Sequence, residues 1–255
     1  MDAALAFLPD GLGIPAAAFL IVASFFTSAL TASFGVGGGV AMLALMGLFL
    51  PVAALIPVHG AVQLGSNTGR AWHQREAIRH GIFVPFVAGS LVGAVVGAAV
   101  VIQLPDAVLK LVLGVFIIAL TWATIPGFQS VGRIGLAIGS AVTALLTMMV
   151  GATGMLVSSL FAQIIPDDRK ALVATHAAGM TIQHFLKIVV FGLAGFAFAA
   201  WLPLIALMIV SGYLGTIYGS RWLERLPEEA FRKWFKIGLT LLALDLVRQG
   251  LFALV

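Results

Sequence analysis

The sequence predicts an all-α polytopic membrane protein built from two inverted-topology repeats of about five helical segments each. Composition is the first indication, because 61% of the 255 residues are hydrophobic and only 9% are charged. Nearly every window of about 20 residues outside a few loops is apolar enough to span a bilayer. The other two indications are a repeated pattern of landmarks and a shift of the basic loops between the halves. We therefore expect a single transmembrane domain in contact with the lipid bilayer.

Composition also excludes several classes of function. The net charge of +4 comes from basic residues in short loops between apolar runs, where they act as topology signals, so nucleic acid is not an expected partner. The absence of cysteine excludes disulfides, iron–sulfur clusters and thiol catalysis, and we expect no cofactor and no metal. Asp2 and Asp10 precede the first apolar span without a basic stretch, so we expect that span to be retained and not cleaved as a signal peptide.

Glycine, proline and charged residues divide the chain into ten apolar segments. Two of them, 36–50 and 152–165, have only 15 and 14 residues, or roughly 22 Å of helix against a hydrocarbon core of about 30 Å. We expect these two to be broken or re-entrant helices at the Gly-rich starts of segments two and seven. The segments cover residues 14–34, 36–50, 52–73, 82–103, 106–125, 132–150, 152–165, 170–192, 199–221 and 232–253.

Landmark residues recur in the second half at an offset of about 116 to 122 residues. The matched pairs are Ser24 and Ser140, Thr31 and Thr147, His59 and His176, Arg70 and Lys187, Gly93 and Gly215, and Leu104 and Leu226. The two short segments also hold the same rank in each half. The chain is therefore predicted to be a duplication, with repeat one at about 12–127 and repeat two at about 130–255.

The basic loops indicate how the copies are oriented. In the first half the basic loop lies between segments three and four, whereas in the second half it lies between segments four and five and the loop at 192–199 is uncharged. Lys and Arg concentrate in cytoplasmic loops, so matching loops face opposite sides of the membrane. With both termini on the outer side, 11 of the 14 Lys and Arg are cytoplasmic. Such an inverted duplication is typical of secondary transporters.

The third segment carries a polar stripe. His59, Gln63, Ser66, Asn67 and Arg70 fall within roughly a 100° sector of a helix whose other face is apolar. Polar and ionisable groups in lipid are costly, so this stripe is expected to face protein or a water-filled cavity.

The eighth segment repeats the stripe with His176, Met180, Gln183, His184 and Lys187. Inversion brings Arg70 to the depth of His176 and Lys187 to the depth of His59. Cations near each mouth and amide groups at the middle would favour an anion as the bound species.

The glycine-rich starts of the two short segments also favour a bound anion. Free backbone N–H groups and the positive end of the helix dipole attract anionic oxygens at a helix N-terminus. We therefore include these residues with the stripes as candidate substrate-binding positions: Gly35, Gly37, Gly38, Gly39, Gly151, Thr153 and Gly154.

Structural roles compete with these assignments. Arg70 lies beside Trp72 and is able to snorkel to the cytoplasmic interface, and a histidine in a membrane often only links two helices by a hydrogen bond. Small residues every four positions in segments four and nine, including Gly89, Gly93 and Gly215, are interpreted as a packing seam.

The Gly-rich opening GVGGG at 35–39, the short apolar run ending in Pro, the polar third segment and their repeat resemble the sulfite exporter TauE/SafE family, also called the 4-toluene sulfonate uptake permease family. The resemblance covers nearly the whole chain. It implies a multi-pass permease of the bacterial inner membrane for small sulfur oxyanions or organosulfonates such as sulfite, sulfoacetate or thiosulfate, or for related carboxylates. In the second half, only Gly151 and Gly154 stand where the family pattern has a glycine cluster.

Other functions remain open at this stage. GATG at 151–154 differs by one hydroxyl type from the GxSG of rhomboid-like serine proteases, with Thr153 in place of the serine and His176 following. A haem or quinone carrier using His176 and His184 and an anion channel are further alternatives. We favour a carrier that works by alternating access and not an enzyme. The sequence leaves the oligomeric state open, with a homodimer as one option.

Overall fold

A computed structural model describes residues 8–9, 11–35, 37–101, 105–122, 132–219 and 228–254. The predicted repeat boundary at 127–130 and the landmarks Leu104 and Leu226 lie outside these ranges. The described residues form ten α-helices and no strand. The helices are α1 (Ile14–Phe34), α2 (Gly38–Met46), α3 (Val52–His73), α4 (Phe83–Val101), α5 (Asp106–Trp122), α6 (Arg133–Val150), α7 (Gly154–Ala162), α8 (Arg169–Leu193), α9 (Leu202–Leu214) and α10 (Glu228–Phe252).

Every predicted segment corresponds to one of these helices, and four stretches are long and apolar enough to cross a membrane. These stretches are Ile14–Phe34, His80–Val100, Arg133–Val150 and Phe198–Tyr218. Helix α5 is apolar but shorter, with 17 residues. Helices α3 and α8 have 22 and 25 residues, and the polar stripes lower their hydropathy. The prediction of an all-helical, multi-pass membrane protein is confirmed.

The two short helices fold back along the helices that precede them. Helix α2 has nine residues, and it runs antiparallel to α1, because Thr27 contacts Met42 and the ring of Phe19 lies 5.5 Å from that of Phe49. Helix α7, also nine residues long, returns along α6 in the same way, from Thr153 beside Thr147 to Leu160 beside Gly139. We call α1–α2 the first hairpin and α6–α7 the second hairpin.

Glycine makes both reversals possible. Gly35 and Gly151 end α1 and α6 with φ angles of +84° and +79°, a left-handed conformation that side chains with a Cβ rarely adopt. In the first hairpin Gly38 packs directly on the backbone carbonyl of Thr27, where a Cβ atom has no room. The turns therefore depend on these glycines for backbone geometry.

Helices α3 and α8 pack against each other in antiparallel fashion. Lys187 contacts Gly60, and the ring of His184 lies 6.0 Å from that of His59, whereas at the other end the backbone N–H of Arg79 donates to Thr175. The two polar stripes consequently face each other inside the bundle.

Seams of small residues form close contacts between α4 and α6 and between α9 and α1. Gly89 and Gly93 of α4 lie against backbone carbonyls of α6, and Gly215, just after α9, lies against the carbonyl of Phe25 in α1. The hydroxyl of Ser211 donates to the carbonyl of Ile21 at 2.6 Å. The packing interpretation of these glycines is confirmed, since close approach of the helix backbones leaves no space for larger residues.

Among the described residues, one ion pair lies at the start of α8 and another lies within α10. Asp168 caps α8 by accepting from the backbone N–H of Ala171 at 2.9 Å, and it also accepts from Arg79 at 2.9 Å. The amide of Ala171 and, to a smaller extent, the Arg79 guanidinium hold the pKa of Asp168 below its ordinary value. Asp245 and Arg248, three positions apart in α10, form an ion pair at 2.6 Å.

Substitution of Gly93 by alanine is predicted to destabilise the fold. A Cβ atom there would overlap the carbonyl of Ala141 and lie 2.9 Å from its Cα, and such overpacking costs about 1–3 kcal/mol. Gly238→Ala is the matched control, because this helical glycine has no atom within 4 Å of a new Cβ. Thermal unfolding in detergent should show a lower midpoint for Gly93→Ala alone, and equal midpoints would contradict the seam.

Candidate functional site

Two histidines attach the central helices to the tips of the hairpins. The Nε2 of His59 donates to the carbonyl of Gly39 at 2.9 Å, and the Nε2 of His176 donates to the carbonyl of Gly154 at the same distance. A carbonyl oxygen only accepts, so Nε2 carries the hydrogen in both rings. The equivalent bonds place the start of each short helix at the depth of the polar stripes.

A small cavity lies where the two hairpin tips meet α3 and α8. Its volume is about 30 Å³, close to the share of one water molecule in the liquid. Its lining comes from both halves of the chain at corresponding positions, with Thr31 in addition. The pairs are Gly37 and Ala152, Gly39 and Gly154, Val40 and Met155, His59 and His176, Gln63 and Met180, and Asn67 and His184.

One wall of the cavity is a chain of polar side chains along α3. Arg70 donates from Nη1 to the Oδ1 of Asn67 at 3.2 Å, and Asn67 donates from Nδ2 to the backbone carbonyl of Gln63 at 2.8 Å. Arg70 is only 2% exposed, and its Nε has no partner among the described residues. It is close enough to His176 for an electrostatic interaction. The guanidinium therefore stands behind Asn67 and does not itself line the cavity.

Lys187 stands behind the opposite end. It is fully buried, its Nζ donates to the carbonyl of Gly151 at 2.6 Å, and its side chain packs on Gly60 next to His59. Arg70 is thus close to His176, and Lys187 packs next to His59. Neither cation forms an ion pair with a carboxylate within the described ranges. The electrostatic environment of the cavity consequently attracts anions.

Gln183 is placed in a structural network away from the cavity. Its side chain is completely buried; its Nε2 donates to Thr143 at 2.9 Å and to Ser90 at 3.2 Å, and its Oε1 accepts from Thr147. These bonds connect α8 to α4 and α6. The amide that the sequence assigns to substrate is thus engaged in helix packing.

Thr153 belongs to the same interior. Its hydroxyl bonds to that of Thr147 and donates to the carbonyl of Thr143, whereas His176 donates to Gly154. Thr153 and His176 therefore have separate partners and do not form a nucleophile–base pair in the described structure.

Of the candidate residues, eight line the cavity and seven do not. The lining residues are Gly37, Gly39, His59, Gln63, Asn67, Gly154, His176 and His184. Those outside the lining are Gly35, Gly38, Arg70, Gly151, Thr153, Gln183 and Lys187. Gly35 and Gly151 form the turns, and Gly38 packs on α1.

The sequence did not single out the apolar part of the lining. Val40, Ala152 and Met155 line the cavity and are indistinguishable from ordinary membrane-helix residues. The repeated sequence pattern is the signal that indicates Met155, because Met155 follows Gly154 as Val40 follows Gly39. Within the described ranges, no three His, Asp or Glu side chains are arranged to share a metal ion.

Comparison with known families agrees with this geometry. The family model for sulfite exporter TauE/SafE matches residues 20–246, which is nearly the whole chain. The chain belongs to this family. TauE/SafE proteins are transporters of the membrane and not an enzyme family. No curated protein and no solved structure gives a significant match.

In the second hairpin of this TauE/SafE member, Ala152 and Thr153 stand where the first hairpin has Gly37 and Gly38. Thr153 takes the position of Gly38, since its hydroxyl contacts Thr143 and Thr147 as Gly38 contacts Thr27 and Thr31. The next residue, Gly154, nevertheless accepts from His176 at 2.9 Å, as Gly39 does from His59. The threonine therefore preserves the approach of the second short helix to the cavity.

Substitution of Gln183 should affect stability, whereas substitution of Gln63 should not. Gln183→Leu leaves the hydroxyls of Ser90 and Thr143 without this partner, and a buried unsatisfied polar group costs about 1–3 kcal/mol. Gln63 is partly exposed on the cavity wall, so Gln63→Leu serves as the matched control. We expect a lower thermal unfolding midpoint for Gln183→Leu alone, and the reverse order would contradict the assignment of roles.

Proposed function

We propose that the protein is a secondary transporter that moves a small sulfur-containing anion across the bacterial inner membrane by alternating access. Sulfite, sulfoacetate, thiosulfate and other organosulfonates are the substrate class that the TauE/SafE family suggests. The observation that carries the proposal is the cavity between two hairpin tips, with Arg70 and Lys187 buried behind its ends and no carboxylate paired with either among the described residues.

The mechanism requires two repeats of opposite orientation, and corresponding contacts support this arrangement. The bond between His59 and Gly39 in repeat one has its counterpart between His176 and Gly154 in repeat two. The seam of α4 on α6 has its counterpart in α9 on α1, and α3 and α8 are antiparallel. In this arrangement the first hairpin enters from the outer side and the second from the cytoplasmic side.

Substrate oxygens would be held by groups that donate hydrogen bonds. Backbone N–H groups at the starts of α2 and α7 point toward the cavity end of each helix, where the helix dipole favours negative charge. Gln63 and Asn67 add amide donors, and the fixed charges of Arg70 and Lys187 act through the wall. His59 and His176 hold the hairpin tips in position, while His184 presents its ring to the anion.

Cavity size supports a carrier and not an open channel. With a volume of about 30 Å³, the cavity between the hairpin tips has to enlarge before it holds a sulfonate, so movement around the cavity is part of the proposed cycle. Rocking or gating of one repeat against the other around a central site is the usual basis of alternating access. Thermal-shift and flux measurements on the purified protein with sulfite, thiosulfate, sulfoacetate and simple carboxylates show whether it prefers sulfur anions or carboxylates.

A counterflow assay tests both the proposed carrier mechanism and the role of Lys187 in anion exchange. Proteoliposomes loaded with unlabelled sulfite should accumulate labelled sulfite transiently, because a carrier exchanges substrate and a pore does not. Lys187→Ala should reduce that exchange about tenfold or more, since it removes a buried charge that attracts the anion. Lys236→Ala is the control, because this exposed lysine lies over Trp122, away from the cavity.

The assay has two informative failures. Accumulation that never exceeds equilibrium would identify a channel, and unchanged exchange by folded Lys187→Ala protein would remove this residue from the mechanism. Circular dichroism and size-exclusion profiles establish that each variant is folded.

Orientation is tested separately, with both termini proposed on the outer side. The chain has no cysteine, so single cysteines report their own side of the membrane. Ala194→Cys, in the uncharged loop after α8, should react with an impermeant maleimide in right-side-out spheroplasts, whereas Arg75→Cys should react only after permeabilisation. The opposite pattern would reverse the topology without changing the fold.

A further inference from the structure

The charge of the site is unusual for the interior of a membrane protein. Arg70 and Lys187 are both buried, at 2% and 0% exposure, on helices that pack against each other. The four carboxylates whose side chains the structure describes are Glu76, Asp167, Asp168 and Asp245, and all lie away from the cavity. Two cationic groups thus share one cavity without an internal counter-charge among the described residues.

The two cations lie at opposite ends of the cavity. Arg70 reaches it through Asn67, to which it donates at 3.2 Å, and Lys187 reaches it beside His59 and the second hairpin turn. Asn67, which Arg70 contacts, and His59, next to the Gly60 that Lys187 contacts, both line the cavity. A single small anion at the centre would therefore interact with both charges at once.

Unpartnered hydrogen-bonding groups point to the same ligand. The Nε of Arg70 always carries a hydrogen and has no acceptor among the described residues. His184, 2% exposed and part of the lining, has a buried Nδ1 that also lacks a partner within the described ranges. A buried donor without an acceptor is costly, so the Nε of Arg70 is suited to an oxygen-rich ligand, as is the Nδ1 of His184 in the tautomer that carries its hydrogen there.

We propose that the transported substrate is a divalent anion, and that the site selects dianions over monoanions of the same size. The inference rests on the proposed transport function and specifies the charge of its substrate. A dianion neutralises both buried cations, whereas a monoanion leaves one of them uncompensated in a medium of low dielectric constant. The substrate class is thus a small, doubly charged sulfur oxyanion such as sulfite or thiosulfate.

A matched pair of competitors tests the proposal on the unmodified protein. Thiosulfate and methanesulfonate both carry an SO₃ group, and they differ in a charged terminal sulfur against a neutral methyl group. We would measure exchange of labelled sulfite in proteoliposomes at neutral pH, where thiosulfate is doubly charged and methanesulfonate is singly charged. Thiosulfate should inhibit at a concentration at least about tenfold lower than methanesulfonate does.

A variant of Lys187 then tests whether the charge of this residue causes the preference for dianions. Lys187→Met removes one cation while keeping a side chain of similar length, so it should bring the two inhibitory concentrations within about threefold of each other. Lys236→Met, at an exposed position, should keep the wild-type ratio. A wild-type ratio retained by folded Lys187→Met protein would overturn the role of this charge.

The outcomes separate this inference from the proposed function. If labelled sulfite exchanges but both competitors inhibit equally, the dianion inference is overturned and transport stands. If the protein exchanges no sulfur anion, the proposed function is overturned and the inference with it. The wild-type comparison needs no variant, so the test remains decisive even if Lys187→Met does not fold.

Discussion

The structure depends on two hydrogen bonds, from His59 to the carbonyl of Gly39 and from His176 to that of Gly154. Backbone groups inside a bilayer must be satisfied within the protein, because no water is present to replace a missing partner. A helix N-terminus leaves N–H groups without intrahelical partners, whereas its carbonyls already accept bonds within the helix. Each histidine therefore adds a second hydrogen bond to a carbonyl in the first turn of a short helix and attaches that helix to α3 or α8. The same bonds fix how deep each short helix reaches. The cavity, its lining and its position between the halves follow from that depth.

Packing around these bonds explains why the cations remain buried. Gly60 gives Lys187 room beside α3, and the carbonyl of Gly151 accepts from its ammonium group at 2.6 Å. Arg70 is held by Asn67, which is itself held by Gln63. Among the described residues, each charge is therefore positioned by neutral acceptors and not by a carboxylate. Charges held in this way remain available to an anion, which a salt bridge would prevent.

Comparison of the two halves shows which repeated positions kept the same role. His59 and His176 have the same role, because each donates to a hairpin-tip carbonyl at 2.9 Å. Gln63 places an amide in the cavity wall, whereas the residue at the corresponding position of the second stripe is Met180. The amide of the second stripe belongs to Gln183, which donates to Ser90 and Thr143 instead. A repeated sequence pattern therefore identified the wall as a whole more reliably than the role of each polar residue in it.

The class of protein, the ten segments and the polar stripes follow from the sequence alone, because apolar run length and helical periodicity are local properties of the chain. The inversion inferred from the basic loops also predicted that Arg70 and Lys187 would each be level with a histidine of the other stripe. Contacts in the folded chain were needed to show that α2 and α7 turn back along their preceding helices, and that Gln183 and Thr153 belong to packing networks. Periodicity specifies the face of a helix on which a side chain lies. The neighbour that meets this face, whether α4, α6 or the cavity, is set by contacts between residues far apart in the chain, such as Ser90 and Gln183, which are 93 positions apart.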